Sequence, residues 1–180
     1  MTTTPRWNGD RVAFRQATPA QTDDVLEVLD EAAGWLADRR IAQWPARFEA
    51  AWIEEALARG ETWLAHTDDG IAGTVTLDRA DPLWADTPGD AVYVHRMAVR
   101  RRAAGLGAVV LDWVQDTAGR DGTPTVRLDC VRANDRLRAY YASHGFAHRG
   151  DVPVTGAPGQ RGAGGPVTWV SRYERTRPPA

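Results

Sequence analysis

The spacing of apolar residues along the first third of the chain predicts one strand and two helices. Residues 11–17 alternate between apolar and polar side chains, which is typical of a strand with one buried face. Thr18 then stands at the entry of a helix, and apolar residues recur at helical spacing as far as Leu36. A second, shorter helix is predicted over residues 47–59, because Gly60 is a natural end point.

The remaining part of the chain alternates short apolar segments with helical ones. Strands are predicted over residues 62–66, 71–77, 91–99, 125–131, 146–154 and 167–173, and helices over residues 106–118 and 134–144. Residues 155–166 are dense in Gly and Pro, which predicts a mobile loop. This order of elements predicts an α/β fold in which helices cover both faces of one mixed sheet.

The length of the chain, 180 residues, suffices for one hydrophobic core and is interpreted as a single domain. This domain is predicted to span residues 11–174. Residues 1–10 and 175–180 are predicted to be a flexible N-terminus and a flexible tail, because neither segment has a clear apolar pattern.

Composition narrows the classes of function. A net charge of -2 gives no general attraction to nucleic acid or to a membrane surface, and no apolar run is long enough to span a bilayer. The single cysteine, Cys130, cannot form an internal disulfide, which favours a cytoplasmic protein. No Cys and His residues have the spacing of metal ligands, so no metal is predicted.

A glycine-containing loop over residues 100–107 is the first candidate for a binding site. It lies between a predicted strand and a predicted helix, where the free N–H groups of the helix start and the helix dipole favour an anion. Gly105 and Gly107 permit a sharp turn and a close approach of the ligand. A pyrophosphate suits such a site, whereas a plain glycine turn beside a solvated arginine run is the alternative interpretation.

Three motifs between residues 91 and 146 follow one family pattern. They are the strand Val94-His95-Arg96-Met97-Ala98-Val99, the loop Arg102-x-x-Gly105-x-Gly107, and Asn134 followed by Tyr141-x-x-x-Gly145-Phe146. Together they resemble the GNAT superfamily of acetyl-CoA-dependent N-acetyltransferases. The resemblance implies a central, mostly antiparallel sheet of six to seven strands, with a splayed parallel pair at its centre.

The resemblance also implies which residues hold acetyl-CoA, the expected co-substrate. The backbone of Met97, Ala98 and Val99 is expected to bind the pantetheine arm as an added strand would. The pyrophosphate is expected in the loop formed by Arg102, Ala103, Ala104, Gly105, Leu106 and Gly107. Asn134 contacts the cofactor or caps its own helix. Tyr141 matches the usual general acid, which protonates the departing CoA thiolate.

The identity of the general base stays open at this point. His95 is the first candidate, because an imidazole titrates near the working pH, and a histidine that is hydrogen-bonded within the sheet is the alternative. Glu31 on the first helix is a weaker candidate, and a water chain without a single base is a third option.

The acceptor side is predicted from the regions that usually form it in this family. Trp44, between the first two helices, and Trp84, before the central strand, are candidates for an aromatic wall, and Tyr93 and Glu31 complete the predicted set. Core packing is the alternative for each aromatic residue. The expected acceptor is a small primary amine. A protein amine, a longer acyl-CoA and a non-catalytic acyl-CoA-binding module are the alternatives, and a homodimer is compatible with the sequence.

Overall fold

A seven-stranded sheet forms the centre of the computed structural model, which describes residues 5–155 and 167–177. The strands, including a short N-terminal hairpin, are β1 Arg6–Trp7, β2 Asp10–Arg11, β3 Ala13–Gln16, β4 Thr62–Thr67, β5 Gly70–Asp78, β6 Val92–Val99, β7 Thr125–Val131, β8 Ala147–Thr155 and β9 Val167–Thr176. The order within the large sheet is β3-β4-β5-β6-β7-β9-β8. Among the strands of the described residues, only β6 and β7 pair in parallel, so the predicted α/β fold with a mostly antiparallel sheet is confirmed.

Helices cover both faces of this sheet. They are α1 Thr22–Asp38, α2 Glu54–Ala58, α3 Leu106–Arg120 and α4 Asp135–Ser143. Two neighbouring residues of β4 point to opposite faces of the sheet. Leu64 packs into the core beneath α1, and Ala65 packs into the core beneath α3. None of the helices in the described part of the chain is long and apolar enough to cross a membrane.

The parallel pair β6 and β7 separates after two residues. Val92 pairs with Val126 and Tyr93 with Arg127, but the described strands have no further register partners although both continue. On its other side, β6 stays paired with β5 through an irregularity in which Arg96 has a left-handed φ of 48°. The separation leaves one edge of β6 facing a gap in the middle of the sheet.

Two sequence-based expectations in the first third of the chain require correction. Residues 6–11 form the β1–β2 hairpin, whereas the sequence predicts a flexible segment over residues 1–10, and the first strand of the large sheet is shorter than predicted. The helix predicted over residues 47–59 is a 3-10 turn followed by the short helix α2. Phe48 and Ile53 are both buried in the same core, and a continuous helix would have pointed them about 140° apart.

The C-terminal boundary also lies later than the sequence indicated. Strand β9 continues to Thr176 because it stays paired with β7 as far as Thr125. The guanidinium of Arg175 is buried and donates to the carbonyls of Leu111 at 2.7 Å and His144 at 2.9 Å. The glycine-rich segment predicted to be a mobile loop falls almost entirely outside the described residues.

Candidate active site

A cavity of about 790 Å³ opens where β6 and β7 separate. One end is formed by the loop after β6, and the wall follows β6 itself. The other end lies between the segment that follows α1 and the turn before β6. Of the residues predicted from the sequence, those at the cavity are Trp44, His95, Met97, Ala98, Val99, Ala104, Gly105, Gly107, Asn134 and Tyr141. The structure therefore brings most of the predicted site together in one place.

The loop end of the cavity is suited to an anion. Gly105 has a φ of 93°, in the left-handed region, and stands as the N-cap of α3. A Cβ added to Gly107 would lie 2.7 Å from the Tyr140 hydroxyl, so the cradle has no room for a side chain there. The first N–H groups of a 15-residue helix point into this end, where the helix dipole favours negative charge. The loop thus fits a pyrophosphate.

Not every residue of the predicted loop faces the ligand. The side chains of Ala103 and Leu106 are fully buried in the core, so these two residues can offer only their backbone. Arg102 donates to the carbonyl of Ile71 at 2.7 Å and lies outside the cavity lining. The arginine run therefore anchors the loop to β5 as well as adding positive charge.

Glu31 supports this loop from α1. Its carboxylate accepts from the Arg101 amide at 2.6 Å and from the Arg100 guanidinium at 2.9 Å. Burial acts to raise the pKa of Glu31, but these hydrogen bonds outweigh it, so the pKa lies below its ordinary value. The structure does not bring Glu31 to the cavity, which corrects its expected place on the acceptor side.

The N-terminal hairpin contributes a contact that the sequence did not indicate. The indole Nε1 of Trp7 donates to the Ala104 carbonyl at 3.3 Å, across 97 residues of sequence. Trp7 therefore supports the loop from the side opposite to Glu31.

Asn134 caps α4. Its Oδ1 accepts from the Leu137 amide at 3.2 Å, and its Nδ2 donates to Gln43 at 3.2 Å. The same Gln43 oxygen accepts from the Val131 amide at 3.1 Å, which ties the segment after α1 to the end of β7. The capping alternative is therefore what the described residues show for Asn134, which also lines the cavity.

Replacing Asn134 by Ala should lower the free energy of unfolding by about 1 kcal/mol, the usual cost of losing an N-cap oxygen. Asn134→Ser keeps a capping oxygen but loses the amide donor to Gln43, so it should lose less. Denaturant unfolding of the three proteins measures both effects. Equal stability of the Ala and Ser variants would show that the cap contributes nothing.

Tyr141 reaches the cavity from α4. It is only 7% exposed, and its ring packs 6.0 Å from that of Phe146 and 5.8 Å from that of Tyr173, measured between centroids. Burial, and then the nearby Cys130, raises the pKa of Tyr141 above its ordinary value. The hydroxyl therefore stays protonated at neutral pH and is available as a proton donor.

His95 lies at the other end of the cavity between two carboxylates. Its Nε2 is 3.3 Å from Asp78 Oδ2 and 3.5 Å from Asp81 Oδ2. Asp81 is held in place because its other oxygen accepts from the Leu83 amide at 2.9 Å. Burial, and then a hydrogen bond with Glu61, raises the pKa of Asp78 to about 6. The sequence alone did not indicate a role for Asp78. Its position opposite β6 follows from the register of the strands, which the sequence does not give.

One group of side chains in the described residues has spacing compatible with a metal ion. The ligand atoms of Asp81, His95 and Asp129 all lie within 4.8 Å of one another. Two carboxylates and an imidazole can bind a divalent cation. The expectation that the protein uses no metal stays a prediction, and metal analysis of the purified protein tests it.

The aromatic residues expected on the acceptor side divide into two groups. Trp44 lines the cavity and packs edge-on against Phe48 at 5.3 Å. Trp84 and Tyr93 are buried in a separate small core and do not line the cavity. Tyr93 lies where β6 and β7 are still paired, and Trp84 packs against it with 6.4 Å between the ring centroids. The guanidinium of Arg127 lies 5.0 Å from the Trp84 ring.

Comparison with known proteins identifies the family of this chain. The sequence model of the acetyltransferase (GNAT) family matches residues 29–146. An uncharacterized N-acetyltransferase of Bacillus subtilis (strain 168), YesJ, is 31% identical over 148 residues, which cover 74% of this chain and 82% of YesJ.

Solved structures share the fold. An acetyltransferase of the GNAT family from Listeria monocytogenes has a TM-score of 0.76 at 22% identity, with 97% of this chain and 100% of that chain covered. RimL, a ribosomal L7/L12 alpha-N-protein acetyltransferase solved in complex with coenzyme A, has a TM-score of 0.64 at 13% identity, with 97% and 98% covered. The family match extends over more than half of the 180 residues and includes all three motifs. This chain belongs to the acetyltransferase (GNAT) family, as an acetyl-CoA-dependent N-acetyltransferase.

Proposed function

We propose that the protein transfers the acetyl group of acetyl-CoA to a primary amine of a small molecule, by direct attack of the amine while both substrates are bound. The observation that carries the proposal is the single cavity that joins the anion-binding loop at Gly105 and Gly107 to Tyr141 and His95. Its volume of about 790 Å³ falls within the range of roughly 300–1,000 Å³ that is usual for small-molecule sites.

The edge of β6 supports a position for the pantetheine arm. From Val94 onward the described part of β6 has no register partner in β7, while Met97, Ala98 and Val99 line the cavity. A pantetheine amide can add to such an edge in the way that a peptide strand does. The pyrophosphate then reaches the loop at the start of α3, and the thioester lies farther along β6.

Proton transfer is divided between two side chains of this site. His95 takes a proton from the amine, and the free nitrogen then attacks the thioester carbon. The C–S bond breaks, Tyr141 gives its proton to the departing sulfur, and the second proton that the nitrogen loses restores the Tyr141 hydroxyl. Holding the two substrates side by side supplies much of the rate enhancement, and no covalent enzyme intermediate is needed. The buried Cys130, whose pKa burial raises to about 12, supports this view because it makes a poor nucleophile.

The acceptor end favours a cationic amine over an anionic one. Asp78, Asp81 and Asp129 line it, and Trp44 offers an aromatic surface. Carboxylates raise the local concentration of ammonium groups, and an aromatic face can hold one.

The single buried thiol and the need for acetyl-CoA are both consistent with a cytoplasmic site of action.

Thiol release from acetyl-CoA tests the acceptor class. We expect turnover with at least one small amine from a panel of spermidine, tryptamine, kanamycin and lysine, and none with lysine that is acetylated on both its α-amine and its ε-amine. A pentapeptide with a free N-terminus is the matched macromolecular acceptor. Turnover with the pentapeptide alone would contradict the small-molecule assignment, and calorimetric binding of acetyl-CoA without any turnover would contradict the proposed reaction.

A further inference from the structure

A row of acidic side chains leads from the cavity to the protein surface behind His95. Asp78 lines the cavity and lies 3.3 Å from His95 Nε2. The carboxyl group of Glu61 is hydrogen-bonded to Asp78. Glu61 in turn accepts from Arg59 Nε at 2.8 Å, and the Arg59 side chain is 49% exposed. The contacts are therefore continuous from the imidazole to solvent.

We infer that Asp78 and Glu61 carry to solvent the proton that His95 takes from the acceptor amine. This inference rests on the proposed function. An ammonium acceptor and a thioester give an amide, a thiol and one free proton, because the C–N bond forms, the C–S bond breaks and the sulfur keeps only one of the two protons that the nitrogen loses. The remaining proton passes from His95 Nε2 to the Asp78 carboxylate, then to Glu61, and then to water.

The positions of the groups explain why this route is suited to the task. Nε2 of His95 faces Asp78 and Asp81, and Asp78 is connected through Glu61 to the surface. Asp81 is tied to the Leu83 amide and its side chain is only 3% exposed, so it orients the ring without opening to solvent. Glu61 is 22% exposed and lies beside an arginine at the rim, so a proton that reaches it can leave.

Burial and neighbouring charges make Asp78 a weaker acid than an ordinary aspartic acid. Burial, then Glu61, raises the pKa of Asp78 to about 6, against the lowering effect of Arg96 and Arg59. The pKa of Glu61 is lowered, chiefly by its hydrogen bond with Arg59. Asp129 is a further charged group near His95 and belongs to β7.

Kinetics of Glu61→Gln, with Glu55→Gln as the matched control, test the relay. Glu55 also pairs with Arg59, but its side chain is 83% exposed and it is not among the groups that shift the pKa of Asp78. With EDTA present, we expect Glu61→Gln to lower kcat about tenfold, at the low end of acid–base effects because the base itself remains. Imidazole buffer should restore the rate, KM values should stay unchanged, and Glu55→Gln should match the wild type.

Two kinetic results would overturn the relay. One is a Glu61→Gln enzyme whose kcat, measured from pH 5.5 to 9, equals that of the wild type at every imidazole concentration. The other is a lowered kcat that no concentration of imidazole restores, since a merely structural defect would not respond to an external proton carrier.

Carboxyl NMR titration of the free protein separates this inference from the proposed function. We expect Asp78 to titrate near 6 in the wild type, and at a lower pH in Glu61→Gln, because the amide removes the neighbouring carboxylate. Titration of Asp78 near 3.8 in both proteins would remove the proton acceptor and overturn the relay, whichever amines are acetylated. The expected titration together with no turnover of any amine would support the proton-sharing pair and count against the proposed function alone.

Discussion

Replacing Tyr141 by Phe should lower kcat about 10²-fold or more, while the affinity for acetyl-CoA stays within about twofold of the wild type. The hydroxyl is the only group removed, and the ring keeps its contacts with Phe146 and Tyr173. Because burial keeps this hydroxyl protonated, its loss leaves the departing sulfur without the proton donor that the proposed reaction requires. Steady-state thiol release at saturating amine gives kcat, and calorimetry gives the affinity.

The neighbouring Tyr140 provides the matched control. It lines the same cavity and carries the same hydroxyl, but it lies one position along α4, with its oxygen beside Gly107 at the loop end. Tyr140→Phe should therefore change kcat little. If Tyr140→Phe loses most of its kcat while Tyr141→Phe stays active, the general acid is Tyr140 and the assignment to Tyr141 is wrong.

The parts of the site that are local in sequence could be predicted from the sequence. Gly105 sits where a helix begins, and its left-handed φ is a conformation for which glycine is preferred. Tyr141 lies on the short helix α4, four residues before Gly145, so its position follows from the motif. Such residues need only local geometry to be placed.

The parts of the site that depend on strand register could not be predicted. Tyr93 and His95 are two residues apart on β6, yet only His95 reaches the cavity, because β6 and β7 remain paired as far as Tyr93. The left-handed φ of Arg96 further interrupts the alternation that the sequence suggested. Nothing local in the sequence marks the residue at which two parallel strands separate.

Contacts between distant segments were also invisible in the sequence. Trp7 supports the loop after β6 from 97 residues away, and Gln43 bonds the Val131 amide across 88 residues. Trp84 resembled a pocket wall only because of its place in the chain, whereas the guanidiniums of Arg127 and Arg172 each lie 5.0 Å from its ring inside a small core. Packing of this kind is fixed by the whole fold.

Replacing Gly107 by Asp should weaken acetyl-CoA binding about 100-fold or more, since placing like charges side by side costs several kcal/mol. A Cβ at this position would already lie 2.7 Å from the Tyr140 hydroxyl, and the added carboxylate would occupy the end of the cavity where the helix dipole favours the pyrophosphate. Isothermal calorimetry with acetyl-CoA measures the loss.

Gly119→Asp is the matched control for this charge change. Gly119 belongs to the same helix α3, and a Cβ added there meets nothing within 4 Å. It should bind acetyl-CoA like the wild type. Gly107→Ala, which adds the Cβ without the charge, should fall between the two, and thermal unfolding of all variants shows that each is folded. Undiminished binding by a folded Gly107→Asp protein would mean that the pyrophosphate does not lie at the start of α3.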